Sequence, residues 1–135
     1  MKSLKKYLLL AFTACVLFMV SACGGSKPGD VAVEFTQAMI DGNADKCFSY
    51  LYLDEMEAAQ KDFAKGKINV MVKGTSEQIK ARGGVKSVKL VDVTDDKTDE
   101  KRKSARVELT LNDGESKVDS FNLIKDKKGE WKILL

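Results

Sequence analysis

The hydrophobic period of this chain changes once, near Val85, and that change restricts the fold more than any other feature. Before it, apolar residues recur every three or four positions. Val31, Ala32, Phe35, Ala38 and Met39 fall on one helical face. Pro28 suits the first turn of that helix. Asp41-Gly42-Asn43 ends it, with Gly42 as a left-handed cap. Ala44 to Leu51 predicts a second, short helix carrying Cys47, Phe48 and Leu51 on one side. Asp54 reads as the cap of a third, on which Met56, Ala59 and Phe63 share a face. Ile68, Met71, Val72 and Ile79 continue at helical spacing. Ile68-Val70-Val72 also alternates like a strand, and Gly66 and Gly74 weaken either form; helix is the reading adopted.

After Val85 the period is two. Val88, Leu90, Val91 and Val93 form a strand whose phase slips between Leu90 and Val91, as at a bulge. Ala105, Val107, Leu109 and Leu111 alternate with polar residues up to the hairpin signal Asn112-Asp113-Gly114. Phe121 and Leu123 mark a third strand, Asp126 to Gly129 a turn, and Trp131, Ile133 and Leu135 a fourth. Four strands joined by tight turns make an antiparallel meander with one apolar face. The helices supply its cover. The fold class is therefore α+β: N-terminal amphipathic helices packed on a curved four-stranded antiparallel meander.

Ahead of this domain lies a different kind of segment. Lys2, Lys5 and Lys6 precede a run of 13 uncharged residues, Leu8 to Val20. A basic stretch followed by a short apolar one is the pattern of a secretory signal. A membrane-spanning helix needs about 20 apolar residues, so the run is too short to remain as a span. Val20-Ser21-Ala22-Cys23 then resembles a lipobox, the processing site of bacterial lipoproteins. The resemblance implies cleavage between Ala22 and Cys23 and a diacylglyceryl thioether on Cys23, with residues 1–22 discarded. It also implies 23–27 as a lipidated tether and 28–135 as one domain. A thiol forms the stable thioether, and small Ser21 and Ala22 admit a peptidase. Gly24, rather than Asp, after the cysteine resembles outer-membrane sorting. In a cell with one membrane the anchor would hold the domain on its outer face.

Cleavage takes 22 residues from 135 and leaves 113, enough for one core without disulfides. It also removes three of the 23 basic residues, so 20 remain against 20 acidic ones. The formal +3 belongs to the precursor, and no stretch interleaves basic and aromatic residues as a nucleic-acid platform requires. No nucleic-acid partner is expected. With Cys23 modified, Cys47 has no intrachain partner and is expected to be buried.

The chain has no histidine, which removes imidazole bases, Ser-His pairs and His-rich metal sites. Between Asp95 and Lys103, the acids Asp95, Asp96, Asp99 and Glu100 are cancelled by Lys97, Lys101, Arg102 and Lys103. Calcium loops want oxygen ligands with few adjacent cations, so this stretch reads as a solvated hairpin tip. Asp30, Asp41 and Asp45 read as helix-end residues. No metal and no cofactor is expected.

One family resemblance rests on four stretches: Met39-Ile40-Asp41-Gly42-Asn43, Asp45-Lys46-Cys47-Phe48-Ser49-Tyr50-Leu51, Gly83-Gly84-Val85 and Gly129-Glu130-Trp131-Lys132-Ile133. Over residues 28–135 the chain resembles the cone-shaped nuclear-transport-factor and ketosteroid-isomerase superfamily. More closely, it resembles small bacterial lipoproteins of that fold carrying a domain of unknown function. The resemblance implies a cone whose interior is either a pocket or filled. Phe35, Phe48, Tyr50, Phe121 and Trp131, with Phe63 as an aromatic of the same set, could line such a pocket, but a helix-on-sheet core needs the same residues and packing is the favoured reading. The superfamily's isomerases use an aspartate base and a tyrosine donor, which would point to Asp119 with Tyr50 or Tyr52. The function expected is a non-enzymatic module, anchored to the membrane through the lipid on Cys23, that binds an envelope protein or a ligand. The alternative is a binder of small apolar molecules, or an isomerase-like enzyme, using the cone's interior.

Overall fold

The computed structural model describes residues 27–135. The expected signal segment, the cleavage point at Ala22 and Cys23, and the lipid on Cys23 lie outside the described residues. Within them, helices α1 (Pro28–Ile40), α2 (Ala44–Ser49) and α3 (Ala58–Ala81) precede strands β1 (Val85–Asp95), β2 (Arg102–Leu111), β3 (Ser116–Lys125) and β4 (Trp131–Leu134). The strands pair antiparallel in the order β1-β2-β3-β4, the meander that the period-two half predicts. Pairing between β1 and β2 shifts between Leu90 and Asp92, so the phase slip in the sequence is a bulge at Val91.

Helix α1 lies across the concave face of the sheet. Its stripe Val31, Ala32, Phe35 and Ala38 is buried against Ala105 and Val107 of β2, Leu123 of β3 and Ile133 of β4. The Phe35 ring meets Phe121 edge-on, with centroids 5.6 Å apart. Gly29 sits where the helix comes closest to the sheet. A Cβ there would lie 2.5 Å from Leu90 Cδ2 and 3.2 Å from Val93 Cγ2. The opposite face mixes polar side chains with Val118, Ile124 and Leu134. Arg106 donates to Asp92, Ser104 and Ser120 share a hydrogen bond, and the guanidinium holds the Asp92 carboxyl below its ordinary range.

Two expectations change at the third helix, and its helical reading through Ile68-Val70-Val72 holds. Asp54 caps nothing. Helix α3 starts later, at Ala58, and is capped by Glu57, whose N–H donates to Gln60 Oε1 at 2.9 Å, while Asp54 accepts from Lys127 N–H in the β3–β4 turn. The two expected segments are one 24-residue helix, so residues on its long outer face cannot all reach the core. Phe63 is among them, 76% exposed. The strand-like alternation Ile68-Val70-Val72 is helical, with Ile68 and Val72 buried beside α1 and α2 and Val70 turned outward.

Helix α2 ends at Ser49, before Leu51. Strand β4 has only four residues and leaves an edge open, and Leu51 fills it through a parallel bridge to Ile133. Tyr52 N–H donates to Ile133 O at 2.9 Å, and Ile133 N–H to Tyr50 O at 2.8 Å. Backbone groups that a longer helix would have satisfied are satisfied by the sheet instead. Asn43, not Asp45, caps α2 by accepting from Lys46 N–H, and Asp45 lies in the first turn. Gly42 has φ +73°, the left-handed end expected after α1.

Candidate functional site

Strand β2 alternates past the end of the helix that covers it. Ala105 and Val107 are buried under α1, but α1 stops at Ile40, so Leu109 and Leu111 on the same face are only half-buried. The C-terminal half of α3 passes over this uncovered stretch. A cleft of about 230 Å³ remains between them, floored by Met39, Ile79, Leu109 and Leu111. Its rim is polar: Thr75, Gln78 and Arg82 from α3, and Glu115, Lys117 and Asp119 from β3 and the turn before it.

Local geometry fixes both walls. Helix α3 ends in Gly83 and Gly84, with φ +88° and +92°, and Gly84 N–H donates back to Ile79 O. The β2–β3 hairpin then grips that end. Asn112 Nδ2 donates to Gly83 O at 2.7 Å, and Asn112 N–H to Gly84 O at 2.9 Å. Arg82 pairs with Asp113, at 3.8 Å, and with Glu115. Across the cleft, Lys117 Nζ lies 3.3 Å from Asp119 Oδ1. The rim charges thus stand as opposite-sign pairs in solvent, each worth about 1 kcal/mol or less, which an incoming charged group can displace. An apolar floor under such a rim suits a small amphipathic molecule or side chain.

Of the aromatics that could line a pocket, none borders this cleft. Phe35 is buried, and Phe121, Phe48, Tyr50 and Trp131 pack around the same core. Tyr50 donates its hydroxyl to Glu34 Oε2 at 3.0 Å; burial and that carboxylate push the phenol up to about 12. Trp131 sits beneath the ammonium groups of Lys103 and Lys125, 5.6 and 5.4 Å from its ring centroid. Asp119 reaches the cleft; Tyr50 and Tyr52 do not border it. Cys47 is fully buried, its thiol 3.8 Å from Phe35 O and pushed up to about 11 by burial. At the β1–β2 tip, Asp96 accepts from the Thr98 N–H and hydroxyl and Asp99 from Lys101 N–H. Among the described residues no group of three or more Cys, Asp or Glu is placed to hold a metal.

The floor residues were legible only as apolar positions, Met39 and Ile79 on helical faces and Leu109 and Leu111 on a strand face. That they stay uncovered depends on where α1 stops relative to β2, which no local pattern records.

The sequence matches the family DUF4878, a domain of unknown function, over residues 21–134. The fold is similar to the crystal structure of a Campylobacter jejuni protein provisionally named an NTF2-like transpeptidase. The TM-score is 0.73 at 27% identity, over 82% of this chain and 99% of that one. No functionally curated protein matches the sequence. Among the described residues no helix is long and apolar enough to cross a membrane.

Proposed function

This chain belongs to the DUF4878 family, here with an NTF2-like fold, and from that premise we propose a lipid-anchored, non-catalytic binding module of the bacterial cell envelope. The cleft carries the reading: an apolar floor of Met39, Ile79, Leu109 and Leu111 beneath a rim of displaceable ion pairs. Such a site takes a small amphipathic ligand, or an apolar side chain of a partner, without chemistry on it.

Anchoring is supported by the lipobox resemblance at Cys23. Two acyl chains suffice for stable attachment. Placement agrees with that role. The tether would join α1 at Pro28, whereas Met39, at the helix's other end, floors the cleft. Thirteen residues span about 20 Å, so the cleft is carried away from the anchored end.

The groups available do not support catalysis. Transpeptidation, the activity in the C. jejuni protein's name, transfers an acyl group through an activated nucleophile. This chain has no histidine to activate one. Its described thiol, Cys47, is buried and held protonated. A second reading, an isomerase-like enzyme, draws on one observation: Asp119 lies in the cleft. There it is paired with Lys117, with no tyrosine on the lining.

Ligand-observed NMR with small amphipathic fragments tests the cleft on the full chain. Fragments should bind, and Leu111→Arg should abolish it; binding that survives Leu111→Arg would overturn the assignment. Turnover of small apolar ketones that Asp119→Asn abolishes would instead establish the isomerase reading. Intact mass of the membrane-extracted product tests the anchor separately. An acylated Cys23 as first residue is expected, and an unacylated product would overturn it.

A further inference from the structure

The outward face of α3 has features that the rest of the molecule does not require. Phe63 and Val70 are 76% and 75% exposed, two turns apart on one stripe. Gly66 and Gly74 lie on the same stripe, and a Cβ at either would meet nothing within 4 Å. Glycine weakens a helix interior relative to alanine, and nothing inside this domain needs the space. The opposite side of the helix, Ala64, Ile68 and Val72, is the buried one. Two bulky groups and two vacant notches therefore share the surface farthest from the core.

Their spacing is self-complementary. If a second α3 packs antiparallel about a twofold axis, Val70 facing Gly66 of the second copy places the axis level with position 68. Phe63 facing Gly74 of the second copy places it midway between 68 and 69. Two separate pairs thus give one axis to within half a residue, and symmetry repeats each of them. Asp62 level with Lys73 of the second copy places the axis midway between 67 and 68, within one residue of the other two. The same arrangement sets Lys67 beside its own counterpart, so the flanking charges offset each other and the fit rests on Phe63, Val70 and the two glycines. A parallel pairing would instead set Phe63 on Phe63 and glycine on glycine, leaving collisions and gaps.

We propose that this face of α3 is a homodimer interface, each copy's Phe63 and Val70 filling the other's glycine notches. An isologous contact of this kind is closed, so it makes dimers rather than filaments. Small residues at the crossing let the two backbones approach closely. The inference is independent of the cleft and of the lipid.

Disulfide trapping in the full chain, expressed in a bacterium with an oxidising envelope, tests the register. Phe63→Cys with Gly74→Cys should give a covalent dimer on a non-reducing gel, at least tenfold above either single variant. In this register, like positions lie too far apart to bridge. Resistance of Cys47 to alkylation reports that each variant is folded. Single variants that cross-link as well as the double would overturn the antiparallel register. Folded variants that never cross-link would overturn the interface, including the case where the Leu8–Val20 segment or another protein covers it. A second measurement separates interface from fold. Gly66→Leu with Gly74→Leu should raise Tm, since leucine is the better helix former, while cutting the dimer fraction seen by native mass spectrometry at least tenfold. A dimer fraction unchanged by those leucines would also refute the proposal, as would a monomeric unsubstituted chain.

Discussion

Cys47 offers the sharpest test of whether this fold carries nucleophilic chemistry. The perturbation is alkylation with iodoacetamide at pH 8, following the Cys47 peptide by mass in native and guanidinium-unfolded protein. The thiolate is the reacting species. At the ordinary value of 9.0 about a tenth of the thiol is ionised at pH 8; at about 11 the fraction is about a thousandth. Charge alone should therefore slow the native reaction about a hundredfold. Complete burial beneath α1 slows it further, because reagent must wait for the domain to open. A native rate within tenfold of the unfolded one would refute this reasoning and restore Cys47 as a candidate nucleophile. The sign for stability follows from the same shift. The native state keeps the thiol proton above pH 9, where the unfolded chain releases it. The group's contribution is thus complete below pH 9 and is lost as pH rises toward 11.

Two further outcomes follow from the packing. Gly29→Leu should lower stability by about 1 kcal/mol, the low end for overpacking, in a denaturant titration, because its Cβ would lie 2.5 Å from Leu90 Cδ2, the tip of a part-exposed side chain that must turn aside; an unchanged midpoint would show that α1 does not sit this close. Tyr50 should titrate near 12 in the folded protein by absorbance at 295 nm, and that step should vanish in Tyr50→Phe, with the associated stability lost between pH 10 and 12; a folded-state titration near 10 would mean the Glu34 contact is not made.

How far the site could be read in advance varied by residue. The strand half was legible in detail. Ala105 and Val107 face the core, Val91 bulges, and Asn112-Asp113-Gly114 turns. Backbone geometry gives a strand only two faces, so its apolar one is unambiguous. The helical half was legible only in part. Phe63 is expected on one face with Met56 and Ala59, and turns outward because α3 is a single helix whose buried side is Ala64, Ile68 and Val72. The aromatics that drew attention as pocket lining, such as Phe35 and Phe121, pack against each other. The cleft has a lining of aliphatic and rim residues that no motif marks.

Sequence by itself determined the α+β class, the order of elements, the inward faces of β2 and β3 and the burial of Cys47, whereas Leu135, expected in the fourth strand, lies beyond its end and is exposed. Those properties follow from which side of an element is apolar, which periodicity records directly. Tertiary structure alone decided that Leu51 closes the edge of β4, that Leu109 and Leu111 stay uncovered, and that the face of α3 bearing Phe63 is exposed among the described residues. Each depends on how far one element extends across another. That length is set by packing between distant segments, and an apolar pattern does not state what will cover it.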